Sequence, residues 1–209
     1  MPPTGGAPLD INIDIFIFEV SKIDDIDFTM TFELYFDLSW RETRFVINSS
    51  SPHWMLDGSF MGSTNYISSL WLPDIQIFKC KSFVKRQIVT DVAGLIIWKD
   101  QNMLYTVSTE VVINCPFKFN AYPLDHQSCR FLVGSYIHDV TQISFNGTFR
   151  HDVENQRAQQ YEIKCVDLDY NDTFIIHANR TFSQTGFQVA TARWNLFCFL
   201  TFYSTLKTF

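Results

Sequence analysis

Two cysteines bracket a stretch rich in aromatics and proline, Cys115-Pro-Phe-Lys-Phe-Asn-Ala-Tyr-Pro-Leu-Asp-His-Gln-Ser-Cys129, with thirteen residues between them. Paired thiols can hold a metal, cycle between redox states or staple a loop. Zinc sites and thioredoxin-like centres use close pairs such as Cys-x-x-Cys, and that spacing is absent from this bracket. A disulfide closing a loop of this length stabilises a fold by roughly 3 kcal/mol in the chain-entropy model. Tyr122-Pro123 at its centre suits a tight turn and admits a cis peptide. The pair reads as a structural staple.

Other chemistry is sparse. The five histidines, His53, His126, His138, His151 and His177, do not cluster and show no metal-ligand spacing. His138 beside Asp139 would allow proton or zinc sensing; solvated loop histidines are the plainer reading. A hydrolase would need a nucleophile, a base and an orienting group brought together, and no Gly-x-Ser-x-Gly, His-Glu-x-x-His or phosphate loop is present. The chain therefore does not read as an enzyme, and neither a metal nor a cofactor is expected. A net charge of −6 without a basic cluster argues against nucleic acid as a partner. Four glycosylation sequons, at Asn48, Asn146, Asn171 and Asn179, together with the cysteine pair favour a secreted or extracellular domain. Met1-Pro-Pro-Thr-Gly-Gly has neither the basic nor the apolar region of a signal peptide, which fits a mature or recombinant form.

The elements that must carry these residues are strands. Apolar residues make up 46% of the 209 positions and aromatics 16%, enough for a sizeable core. Ile11, Ile13, Ile15 and Ile17 alternate with other residues as a strand does, and a polar turn, Ser21–Asp27, follows. From Phe28 to Trp40 every second residue is apolar, so one face is a core face and Tyr35 and Asp37 stand on the other. Further strands are expected at Gln87–Val92, Leu104–Ile113, Arg130–Val133, Ile143–Phe145, Glu162–Leu168, Phe174–His177 and Phe187–Leu196. Asn146-Gly147 reads as a hairpin turn, and Val153–Tyr161 as polar helix or loop. The fold class is all-β, an immunoglobulin-like sandwich of about ten short strands. Residues 1–9 form a Pro/Gly-rich flexible leader and 10–195 the sandwich domain. Residues 196–209 form a membrane-proximal apolar tail whose 11-residue apolar run, Leu196–Leu206, falls short of the roughly 20 needed to span a bilayer.

The bracketed loop, with its aromatic-Pro-x-Asp centre and Gln127 two positions before Cys129, resembles the signature loop of Cys-loop receptors, the pentameric ligand-gated ion channels. Trp40–Phe45 (WRETRF) is similar to the family's Trp-x-Asp-x-Arg-Leu segment, with Glu42 for Asp. Trp71–Asp74 (WLPD) is similar to binding loop A, Gly134–Tyr136 (GSY) to loop B and Phe182–Phe187 (FSQTGF) to loop C. Arg193 and the apolar residues after it resemble the junction into a first transmembrane helix. The resemblance covers residues 10 to 203.

It implies an aromatic box between adjacent subunits, with Tyr35, Phe78, Met103, Tyr105, Tyr136, Phe182 and Phe187 as ligand-binding residues and Asp37 as a carboxylate beside them. Aromatic faces attract cations. Loop C lacks the adjacent cysteine pair of acetylcholine-binding subunits, and Asp37 stands where carboxylate-binding receptors commonly place an arginine. A small cationic, amine-like ligand follows. The resemblance further implies a homopentamer on the extracellular face of the plasma membrane, anchored through transmembrane helices. Asp125 and Arg193 would meet the turn around Asp24 and Asp25 and pass ligand binding on to a pore. Cys80 and Cys165 are candidates for a second bridge or for free thiols, with Cys198 left over. A naturally soluble, secreted pentameric binding protein of the same fold is the alternative to a channel domain, and the apolar tail argues for the channel. An adhesion sandwich would have no need of the aromatics of loops A, B and C in order.

Overall fold

A computed structural model of the chain describes residues 2–3, 6–48, 50–152, 157–158, 161–168 and 174–193. Among these, thirteen strands and one 3-10 helix (Thr64–Ser69) build two sheets. The strands are β1 (Leu9–Asp24), β2 (Thr29–Arg41), β3 (Ser59–Gly62), β4 (Ile75–Ile77), β5 (Cys80–Lys85), β6 (Ala93–Trp98) and β7 (Asn102–Asn114). They continue with β8 (His126–Ser135), β9 (Ile143–His151), β10 (Arg157–Ala158), β11 (Tyr161–Asp167), β12 (Phe174–His177) and β13 (Arg180–Arg193). One sheet runs β3-β6-β7-β2-β1-β9, with β5 also paired to β7. The other runs β10-β11-β13-β8-β4, with β12 also paired to β13. The all-β sandwich expected from the alternation is what forms, with more strands than ten.

The period-2 pattern decides the interior. Ile11, Ile13, Ile15 and Ile17 of β1 are fully buried, as are Met30, Phe32 and Leu34 of β2. Phe32 of the first sheet meets Phe131 and Phe187 of the second at ring centroid distances of 5.6 and 5.9 Å, while Phe131 and Phe187 stack at 4.9 Å. These three rings close the seam between the sheets, and edge-to-face contacts of this kind add to their area burial.

Four expectations are corrected. The chain does not turn at Ser21, because register shifts between Ile17 and Glu19 and between Val20 and Lys22 reset the parity and carry β1 on to Asp24. The reversal comes later, where the Asp24 carboxylate accepts from the N–H groups of Ile26 and Asp27 at 3.1 and 3.0 Å. Gln87–Val92 is the tip between β5 and β6, closed by a Gln87–Asp91 bridge, rather than a strand. Asn146-Gly147 lies inside β9, paired in parallel with Asn12 and Ile13 of β1. Gly147 is needed there for close approach, since a Cβ would stand 1.9 Å from the Thr185 hydroxyl oxygen. The stretch read as polar helix or loop contains β10, paired with β11; Val153–Gln156, Gln159 and Gln160 lie outside the described residues.

Candidate functional site

The outward face of the first sheet is fixed by register. Tyr35 of β2 pairs with Ser108 of β7 and with Phe16 of β1; Asp37 pairs with Thr106 and with Asp14. These side chains share one surface because partners directly opposite each other point to the same side. Tyr35 is 41% exposed and takes the Phe18 ring edge-on at 4.2 Å. The Thr106 hydroxyl donates to Asp37. Burial pushes the Asp37 carboxyl above its ordinary value against that hydrogen bond, and Asp14 across the strand pushes it the same way. The β5–β6 tip, with Ile88 and Val89 almost fully exposed, overhangs this face. Between tip and sheet lies an open cavity of about 600 Å³ floored by Tyr35, Asp37, Thr106 and Ser108. Arg150 pairs with Asp14 at 2.8 Å, and Arg86 pairs with Glu33.

A second arrangement sits at the end of the other sheet. Asp74, at the end of the WLPD motif, organises the turn after β8. The Ser135 hydroxyl lies 2.9 Å from both its oxygens, the N–H groups of Tyr136 and Ile137 donate to it at 3.0 and 2.7 Å, and His138 Nδ1 lies 2.6 Å away. Burial opposes ionisation of Asp74, but the His138, Ile137 and Ser135 hydrogen bonds outweigh it and hold the carboxyl below its ordinary value. Tyr136 is thereby presented to solvent at 74% exposure. The Val140 N–H donates to the Thr181 carbonyl at 2.9 Å, which ties this turn to the β13 hairpin bearing Phe182. Phe78 is half-buried against Gly134, where a Cβ would lie 3.0 Å from its ring and 3.1 Å from the Ser183 carbonyl oxygen.

The third arrangement is at the opposite end of β13. Cys115 and Cys129 are joined in a disulfide, and Tyr122-Pro123 is cis. Inside the loop, Gln127 binds the Lys118 backbone through both ends of its amide, at 2.7 and 2.8 Å, and donates to Asp125 at 2.6 Å. Arg193 Nε donates to Asp125 at 2.8 Å and one of its terminal nitrogens reaches Asp25 at 3.1 Å. Asp125 and Arg193 are 1% and 7% exposed. The guanidinium also lies 4.6 Å from the centroid of the Tyr161 ring and 5.1 Å from that of Tyr122. Burial pushes the Tyr161 phenol up to about 12, so it stays neutral there.

The residues singled out in the sequence thus divide. Tyr35 and Asp37 share one surface; Phe78, Tyr136 and Phe182 gather at one end of the other sheet. The side chains of Met103, Tyr105 and Phe187 go elsewhere: they are 0%, 9% and 1% exposed and belong to the core. Residues 103 and 105 pair with Trp40 and Leu38, on the inward parity of β2, so they back the surface that Tyr35 occupies. Thr106 and Ser108, missed in the sequence, hold the outward positions; they are legible once β2 and β7 are paired. Asp125 and Arg193 do meet Asp25. Cys80 and Cys165 are free thiols on strands of different sheets, not a second bridge, and burial pushes the Cys165 thiol up to about 11. Cys198 lies outside the described residues. Asn48, Asn146 and Asn179 are exposed, while Asn171 lies outside the described residues. Among the described residues no group of three metal-ligating side chains forms, and no helix is long and apolar enough to cross a membrane.

The sandwich thus carries a stapled loop at one end, an aromatic turn on one sheet and a tyrosine-carboxylate face on the other. Residues 1–203 match the neurotransmitter-gated ion-channel ligand-binding domain, and the chain belongs to that family. It is similar to gamma-aminobutyric acid receptor subunit rho-2 of Rattus norvegicus, 28% identical over 136 residues, which cover 65% of this chain and 28% of the relative. It is also similar to subunit gamma-4 of Gallus gallus, 26% identical over 158 residues (75% of this chain, 33% of the relative). Subunit beta-4 of Gallus gallus is 26% identical over 144 residues (69% and 28%). The chain spans a third or less of the length of these relatives.

Proposed function

We propose that this chain is the extracellular ligand-binding domain of a pentameric ligand-gated channel, and that it binds a small cationic amine where two copies meet. One observation carries the proposal. Tyr35 and Asp37 lie on the outward face of one sheet, and Tyr136, in the turn after β8, and Phe182, on β13, lie at one end of the other sheet. Two half-sites on different sheets of one chain are joined by a neighbour in a ring, whose interfaces are heterologous and set one face against a different one. Tyrosine faces and a carboxylate suit an ammonium group, each ring contributing about 0.5–2 kcal/mol depending on desolvation. The named relatives are gamma-aminobutyric acid receptor subunits; that compound carries a carboxylate as well as an ammonium group, and Asp37 suits only the ammonium, so the ligand favoured here is an amine without a carboxylate.

Coupling to a pore would run through the Asp125–Arg193–Asp25 cluster, whose partners lie on three different segments of chain. A change in how such elements pack is a recognised means of transmitting a switch. Sugars at the exposed sequons would fit an extracellular position.

Titration of the assembled domain with primary and quaternary amines tests the ligand class. Asp37→Asn is expected to weaken binding about tenfold, the loss of roughly 1.4 kcal/mol of charge-assisted contact, with no fall in Tm. Because Asp37 is held above its ordinary value when the site is empty, a cation should strengthen its ionised form and binding should release protons near that value. Equal affinity in the Asp37→Asn variant would remove the carboxylate from the site.

A further inference from the structure

Beyond the β2 strand, residues 45–61 bring apolar side chains to the surface that the interior does not use. Val46, Leu56 and Met61 are 101%, 110% and 65% exposed. Val46 lines a trough of about 400 Å³ together with Asn48, His53, Trp54, Phe60 and Ile97. Trp54 and Phe60 form its aromatic wall, with ring centroids 6.1 Å apart at 68°. An apolar trough open to solvent in this way is a place where an apolar surface can bind.

One occupant is tethered to the trough itself. Asn48 lines it and opens the sequon Asn48-Ser49-Ser50. The Trp54 indole N–H donates to the Asn48 carbonyl at 2.8 Å, which fixes the ring beside that backbone. The Asn48 side-chain oxygen accepts from the Ser50 N–H at 3.2 Å, so the amide Nδ2 is the end left for attachment. We propose that Asn48 carries an N-linked glycan whose first N-acetylglucosamine ring lies in the Trp54–Phe60 trough. The C–H bonds on one side of a pyranose ring carry positive partial charge and meet the negative face of an aromatic ring, while the sugar hydroxyls stay in water. In the attachment step the sugar C1–O bond to a polyprenyl-diphosphate donor breaks, a C1–N bond to Asn48 Nδ2 forms, one amide proton is lost and the diphosphate leaves. The sugar then covers the trough and its aromatic wall.

This proposal rests on the extracellular reading, and the experiment separates the two. The chain is expressed in a eukaryotic secretory host, and sugar occupancy is mapped by peptide mass at Asn48, Asn146 and Asn179. Native deglycosylation is then timed at each site. Asn48 should be occupied and released about tenfold more slowly than Asn179, the protection given by a local opening equilibrium of that size. Trp54→Ala should erase that difference, as should Phe60→Thr, which leaves the indole bond to Asn48 intact; Trp54→Phe should preserve most of it. An unmodified Asn48 beside occupied Asn146 or Asn179 overturns the proposal and spares the compartment. Equal release rates at Asn48 and Asn179, or a difference untouched by Trp54→Ala and Phe60→Thr, also overturn it. Sugar at none of the three sites sinks both readings.

Discussion

Replacing Asp125 by alanine is expected to lower stability by about 3–5 kcal/mol, the usual result of removing one partner of a buried ion pair. For a domain of this size that is a fall in Tm of roughly 6–20 °C. The magnitude follows from what is left behind: Arg193 is 7% exposed, and its Nε would lose the 2.8 Å contact with the buried carboxylate, while the link to Asp25 is to a more exposed one. Gln127 would lose its acceptor on the same carboxylate, loosening the bracketed loop from within. The pH dependence has a definite sign. Burial alone would raise the Asp125 carboxyl, but Arg193 and Gln127 hold it below its ordinary value. Its contribution is therefore complete above the unfolded value of about 3.9 and lost as pH falls through the lower folded value. Thermal melts between neutral and acid pH should show a shallower acid loss for Asp125→Asn than for the parent chain. Equal melts for the parent and Asp125→Ala would mean that the cluster contributes nothing to folding.

Asp74→Ala should have the second largest effect, and on two readouts at once. It removes the acceptor for the N–H groups of Tyr136 and Ile137, for the Ser135 hydroxyl and for His138. Unmet hydrogen bonds at a partly solvated turn cost about 1–3 kcal/mol. The larger consequence is positional, because nothing else described holds the Tyr136 and Ile137 amides in this turn. Amine binding should weaken more than stability does, and Asp74→Asn, which keeps one acceptor oxygen, should recover part of both. A variant that loses stability but binds amines as before would show that the turn bearing Tyr136 lies outside the site.

Much of this was legible in the residues. Alternation along β2 set Tyr35 and Asp37 on the outward face, and the cysteine bracket with its central proline turn marked the stapled loop. What escaped depends on pairing. The sequence places Met103 and Tyr105 on a strand but does not give its register; Thr106 and Ser108 oppose Asp37 and Tyr35, and a shift of one residue exchanges the two faces. Phe187 sits two residues beyond Thr185 on the core side of β13, and only packing against Phe131 reveals it. Asp74 stands within the WLPD motif, yet its task of gathering the N–H groups of Tyr136 and Ile137, 62 and 63 positions away, has no local signature. Asn146-Gly147 carried a genuine turn preference that the long-range pairing of β9 with β1 overrode.

Co-assembly tests the shared site most directly. One chain carries Tyr35→Ala and Asp37→Ala, its counterpart Tyr136→Ala and Phe182→Ala, and amine binding is titrated on each assembly and on their equal mixture. The predicted result is loss of binding in both pure assemblies and recovery of roughly a quarter of the sites in the mixture, since random ring neighbours pair the two intact faces that often. No recovery in mixed rings, with both variants folded and assembled, would contradict a site built from two chains.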